Sequence, residues 1–169
     1  MRSPYRLVLC LVAAGLAGCV PWPHHYLTAP RISGTVSAGG RPVAGVRVQL
    51  ADLMQASGEV AAAASRLDTV TDAQGHFALG PIRRFAWSAH VPVLTVSQNA
   101  VPWGLRLSLD GRSWRAGWLS DPTLFGYVMK QPLTATCNLD AASRSSVIEG
   151  DKSLVGNGSC TLTAVESKQ

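Results

Sequence analysis

The hydrophobic pattern splits the chain into two regimes. Leu7 to Ala17 is an unbroken apolar run, whereas from Ile32 onward apolar positions recur at every second residue. The first run is too short for a spanning helix, which needs roughly 20 apolar residues. The second has the period of half-buried β-strands. Ile32, Gly34 and Val36 alternate with Ser33 and Thr35, and Val46, Val48 and Leu50 alternate with Arg47 and Gln49. Gly39-Gly40 supplies a tight turn between them, so residues 31 to 52 are expected to form a hairpin with one face on a core. Trp103, Leu105, Leu107 and Leu109 alternate with Arg106 and Ser108. Asp110-Gly111 then reads as a two-residue hairpin turn, with Arg112 to Leu119 as the partner strand. Further strands are expected near 93 to 98, at Leu124 to Met129, at Leu133 to Leu139 after Pro132, and at Ser159 to Val165. Met54 to Arg66 holds the helix-favouring Ala61 to Ala64 but is interrupted by Gly58, which predicts a loop or a short helical turn. Ser143 to Gly158 is polar and glycine-rich and reads as a loop, with a short strand at Ser146 to Glu149.

The N-terminal run has the form of a secretory signal, with Arg2 and Arg6 ahead of an uncharged, small-residue segment. It ends in Leu16-Ala17-Gly18-Cys19, which resembles the lipobox of bacterial lipoproteins. The resemblance implies cleavage before Cys19 and acylation of its thiol and new amino group. Two or three acyl chains hold a protein firmly at a bilayer where one does not. Val20, where the family places Asp for inner-membrane retention, implies the outer membrane of a Gram-negative cell, on its periplasmic side or at the cell surface. The expected division is therefore a signal peptide over 1–18, the lipidated Cys19 and a proline-rich tether over 19–30, a β-sandwich over 31–165 and a frayed tail over 166–169. Pro21, Pro23 and Pro30 keep the tether extended. Trp22 and Tyr26 suit a lipid interface, and His24-His25, without a third ligand nearby, reads as polar tether rather than metal site.

Charge and cysteine count narrow the picture. The formal net charge is +5, part of it in the signal, and Arg83-Arg84 is only a pair. A nucleic-acid partner needs a concentrated basic patch with aromatic platforms, and none is present. Of four cysteines, Cys10 lies in the signal and Cys19 is taken by lipid. Cys137 and Cys160 remain, in a compartment that permits disulfides. A bridge between them would contribute ~3 kcal/mol in the chain-entropy model and staple the strands at 133–139 and 159–165; the alternative is a pair of free buried thiols.

The β region itself carries a second likeness. Ile32-Ser-Gly-Thr-Val, then Gly39-Gly-Arg-Pro-Val-Ala-Gly-Val-Arg-Val-Gln-Leu, then Thr71-Asp-Ala-Gln-Gly-His-Phe-Ala-Leu is similar to the carboxypeptidase regulatory-like family. That resemblance implies an all-β, transthyretin-like (Ig-like) sandwich of about seven strands, here with extra C-terminal strands. It covers roughly residues 31 to 80, and Pro81 onward departs from it. The matching residues are scaffold. Pro42 presets φ, Asp72 hydrogen-bonds the turn backbone, Gly75 takes positive φ and Phe77 returns to the core.

Little in the chain announces chemistry. There is no G-x-S-x-G, H-E-x-x-H, C-x-x-C, phosphate loop or dinucleotide fingerprint. His76 is expected in solvent, and no spacing demands that His90 pair with Asp68 or Asp72. Asp110 and Asp121 are each explained by their turns, and Asn157-Gly158-Ser159 is a sequon a bacterial lipoprotein would not ordinarily use. No cofactor and no metal are implied. The stronger signal is aromatic: Trp87, Trp103, Trp114, Trp118, Phe125 and Tyr127 interleave with Arg106, Arg112 and Arg115. Trp103 and Trp114 are read as core, and Trp118 with Arg112 and Arg115 as the candidate binding surface, since Trp beside Arg is typical of hot spots. The expectation is a lipid-anchored, non-catalytic envelope module binding a protein or glycan. The alternative is a structural or assembly accessory acting through strand edges, with a hydrolase a more distant third.

Overall fold

The structure, a computed structural model, describes residues 21–89, 102–121 and 128–165. Cys19, His90, Phe125, Tyr127, the tail 166–169, the strand expected near 93 to 98 and most of that expected at Leu124 to Met129 lie outside the described residues. So do the side chains of Trp22 and Trp87.

The protein is all-β. Its strands are β1 (Pro21–Ala29), β2 (Ile32–Ala38), β3 (Arg41–Pro42), β4 (Arg47–Ala51), β5 (Arg66–Val70), β6 (His76–Leu79), β7 (Ile82–Ala89), β8 (Gly104–Ser108), β9 (Arg115–Ser120), β10 (Leu133–Asn138), β11 (Arg144–Ile148), β12 (Asp151–Gly158) and β13 (Cys160–Ala164). Two compact units result, one of Met1–Tyr26 with Arg84–Ser97 and one of Leu27–Arg83 with Gln98–Gln169. β1 and β7 form a two-stranded sheet. In the first unit the rings of His25 and Phe85 meet edge-on, 5.4 Å between centroids. The stretch read as a tether is thus extended as expected, but as a paired strand, and its last residues Thr28, Ala29 and Pro30 are buried.

The second unit is a sandwich of two sheets. One runs β13-β10-β2-β3 with β6 also on β2, and the other runs β11-β12-β9-β8-β4-β5. All named pairings are antiparallel except β2 with β10. Ile32, Val36, Phe77, Leu79, Leu133, Ala135 and Leu162 come to the core from the first sheet. Val48, Leu50, Leu105, Leu107, Trp118, Ile148 and Leu154 meet them from the second. Burying side chains of this size contributes about 1.5–3 kcal/mol each, and it is the period-two alternation that allows each strand to present them on one side. Cys137 and Cys160 are directly opposite in the β10–β13 register and are joined by a disulfide.

Several local expectations are corrected. Residues 31 to 52 are not one hairpin. β2 turns at Gly39-Gly40 into the two-residue β3 only, because the Val36 amide that a longer ladder would use donates to the Gly75 carbonyl instead. The chain then bends through Gly45 (φ 78°) and β4 joins the opposite sheet. Asp110-Gly111 is not a two-residue turn either. β8 ends at Ser108 and β9 begins at Arg115, with Leu109 left 64% exposed. Met54 to Arg66, by contrast, takes the loop form, one of the two expected of it, closed by a Met54–Val60 bridge and leading into β5 at Arg66. Ser143 to Gly158 is a hairpin rather than a loop, β11 on β12, since Ile148 and Leu154 supply enough buried apolar surface to hold it.

The most consequential correction concerns the tryptophans. Trp118 is fully buried and Trp114 is half-buried, the reverse of the expected assignment. The β8–β9 register shifts between Leu105, opposite Trp118, and Arg106, opposite Ala116. Gly117 is the extra residue, and a bulge of one residue breaks the alternation. Trp114 and Trp118 therefore lie on opposite faces despite their even spacing.

Candidate functional site

The residues singled out as one binding surface are not brought together. Trp118 is core. Arg112 is exposed in the β8–β9 loop, its amide donating to the Asp110 carboxylate at 2.9 Å. Arg115, in register with core-facing Leu107, donates from Nη1 to the Leu139 carbonyl at 2.6 Å. The Cys137–Cys160 pair is a buried structural bridge.

A different constellation forms on the outward face of the six-stranded sheet. Because Val48 and Leu50 of β4 point to the core, Arg47 and Gln49 point away, and the β4–β8 register sets Gln49 opposite Arg106. Trp114, just before β9, lies on the same face. The Arg106 guanidinium stands over the Trp114 ring at 4.7 Å from its centroid, and that of Arg47 at 5.7 Å. Both are within cation–π range. Arg106 Nη2 donates to Gln49 Oε1 at 2.6 Å, and Gln49 Nε2 donates to Asp68 Oδ1 at 2.9 Å. Gln49 is only 5% exposed although it faces away from the core, so the amide is held between its two partners.

The positive charge of this face is compensated only at a distance. Asp68 is hydrogen-bonded to Arg106 only by way of the Gln49 amide. Among the described residues neither Arg47 nor Arg106 forms an ion pair. Burial, then the charge of nearby Arg66, pulls the Arg106 pKa down, while Asp68 and Glu59 oppose the shift. Its Nε is buried without a protein hydrogen-bond partner. A partly desolvated guanidinium with no carboxylate in contact favours an incoming anion.

The loop that presents Trp114 is organised by Asp110. Its carboxylate accepts from the amides of Arg112 and Ser113 and from the hydroxyls of Ser108 and Ser113, at 2.7–3.1 Å. These bonds, the Ser113 hydroxyl first, hold the carboxyl far below the usual range. Asp72 does the same for its own turn, accepting from Gln74 and His76 amides. His76 is exposed beside it at 3.6 Å, as scaffold residues would be.

A cavity of about 400 Å³ opens at the other end of the sheet, lined by Met54, Pro102, Leu119, Ser120, Asp121 and Asn157 among others. Its one carboxylate, Asp121, accepts from Asn157 Nδ2 at 3.2 Å, and Ser120 Oγ accepts from the Trp103 amide. Among the described residues no second acid or base converges there. Among the described residues no group of three or more His, Cys, Asp or Glu side chains could hold a metal ion. Comparison with protein-family models, with curated proteins and with solved structures finds no match.

Proposed function

We propose that this chain is a lipid-anchored, non-catalytic module of the cell envelope whose sandwich binds an anionic protein or glycan through Arg47, Arg106 and Trp114. The observation that carries the binding half is the pair of guanidiniums on one indole with no carboxylate in ion-pair contact with either among the described residues. Holding an arginine in place before a ligand arrives removes part of the entropic cost of binding. The anchoring half rests on Leu16-Ala17-Gly18-Cys19.

Two measurements test the two halves. Purified protein should be retained on polyglutamate and on a polyuronate matrix but not on neutral dextran, with retention falling as salt rises. Arg47→Ala with Arg106→Ala should weaken retention roughly tenfold or more, the loss of at least one contact worth about 1.4 kcal/mol. Equal retention of wild type and double variant would remove this face from the account. Separately, Cys19→Ser should abolish incorporation of labelled fatty acid and release the chain from the membrane fraction. Labelling that survives the substitution would refute the anchor.

A further inference from the structure

β5 ends the six-stranded sheet, and among the described residues its only strand neighbour is β4. The Ser65 carbonyl accepts from the Asp52 amide and the Thr71 amide donates to the Val46 carbonyl. In an antiparallel ladder the direction of these groups alternates along the strand. Leu67 and Thr69 therefore bond to β4, while the N–H and C=O of Arg66, Asp68 and Val70 point to the open side. Among the described residues these three make no other backbone bond. Arg66, Leu67, Asp68 and Val70 are all exposed, Leu67 by 40% and Val70 by 55%. Proteins usually guard such an edge with proline, a bulge or a row of like charges. β5 runs in unbroken register with β4 over its whole length, has no proline, and carries one charge of each sign.

We propose that this edge pairs antiparallel with β5 of a second copy of the chain, about a two-fold axis at Leu67. In that register each Leu67 faces its copy in a non-hydrogen-bonded pair, where side chains approach most closely. Arg66 of each copy faces Asp68 of the other on the outward face. These are the positions whose main-chain groups are free, so each pair exchanges N–H···O bonds in both directions. Asp68 is already fixed through Oδ1 by Gln49 Nε2, which leaves Oδ2 for the incoming guanidinium. Arg66 has no ion-pair partner among the described residues of its own chain. A register centred on Asp68 would instead oppose two carboxylates, which costs stability. The two-fold closes the assembly at a dimer, since the edge it consumes is the one that would propagate. The contact involves neither Arg47, Arg106 nor Trp114, but Asp68 also anchors the Gln49 amide that holds Arg106, so retention of each variant on polyglutamate is measured beside its self-association to tell a failure of the dimer from a failure of the anion-binding face.

The test uses the full chain with Arg66→Asp and Asp68→Arg as separate variants. Both substitutions are at exposed positions, and because Asp68→Arg also removes the acceptor of the Gln49 amide, an unchanged circular dichroism spectrum rather than unchanged melting checks that each variant folds. Sedimentation velocity up to about millimolar concentration should show wild-type self-association. Each variant alone should dissociate on the order of tenfold more readily, because two like-charge pairs replace two ion pairs. An equimolar mixture of the two variants should associate again. One copy then presents a carboxylate at both positions 66 and 68 and the other a guanidinium at both, so opposite charges face each other in either pair. In wild type, amide exchange at Arg66 and Asp68 should slow with concentration while Leu67 and Thr69, already bonded to β4, do not change. A wild type that stays monomeric, a mixture no stronger than its components, or concentration-dependent protection confined to another strand each overturns the proposal.

Discussion

Asp110 shows how much one exposed side chain can organise. Its carboxylate gathers two amides and two hydroxyls, and the loop so formed ends at Trp114, the platform of the candidate site. Because its folded pKa is depressed below the unfolded value of about 3.9, its contribution is fully present above that pH. It is lost as the pH falls toward the folded value, where the folded carboxylate also takes a proton. Asp110→Ala should therefore melt below wild type at pH 7, and the gap should narrow steadily below about pH 4. Retention on an anionic matrix, measured at pH 7, should fall with it, because Trp114 loses its support. A melting gap independent of pH would mean that the charge on Asp110 does not matter and that only its shape is used.

At the scale of strands, the sequence was most legible where one face of an alternating segment meets a core. Val46, Val48, Leu50, Trp103, Leu105 and Leu107 are all buried where the period placed them, and only Leu109, beyond the end of β8, is not. The turn from Asp72 to Phe77 was equally readable, since its acceptor, its positive-φ glycine and its returning aromatic are all local. What was not legible depends on partners. Gly117 lies among Arg115, Ala116, Trp118 and Leu119 with nothing local to say that the strand gains a residue there. The bulge exists only relative to β8, and it alone exchanges the roles of Trp114 and Trp118. β12 was hidden for a related reason. A side chain at Gly156 would lie 2.5 Å from the Trp118 ring, so its glycine serves close approach beneath an indole, not the flexibility of a loop. The candidate site suffered most from this. Arg47, Gln49, Arg106 and Trp114 come from three segments whose adjacency is set by register, whereas Arg112, Arg115 and Trp118 are close only in sequence.

The disulfide acts on the molecule as a whole. Cys137 and Cys160 pair two neighbouring strands of one sheet, yet the segment between them crosses to the other sheet to form β11 and β12. The bridge therefore closes a loop that contributes to both halves of the sandwich. Closing a loop of this length removes about 3 kcal/mol of unfolded-state entropy in the chain model, against a total stability of about 5–15 kcal/mol for a domain. Reduction should lower the unfolding free energy by that order, and the denaturant midpoint with it, without changing the fold seen by circular dichroism. Because both half-cystines are buried, reductant should reach them only through opening of the β10–β13 edge, so reduction should be slow in buffer and accelerate in subdenaturing urea. Cys137→Ala with Cys160→Ala should reproduce the loss and add the cost of the missing sulfur atoms, while abolishing the response to reductant. Equal midpoints for the oxidised and reduced chain would show that β10 and β13 are held by their ladder alone, and that the oxidising compartment expected from Leu16-Ala17-Gly18-Cys19 contributes nothing to holding this sandwich together.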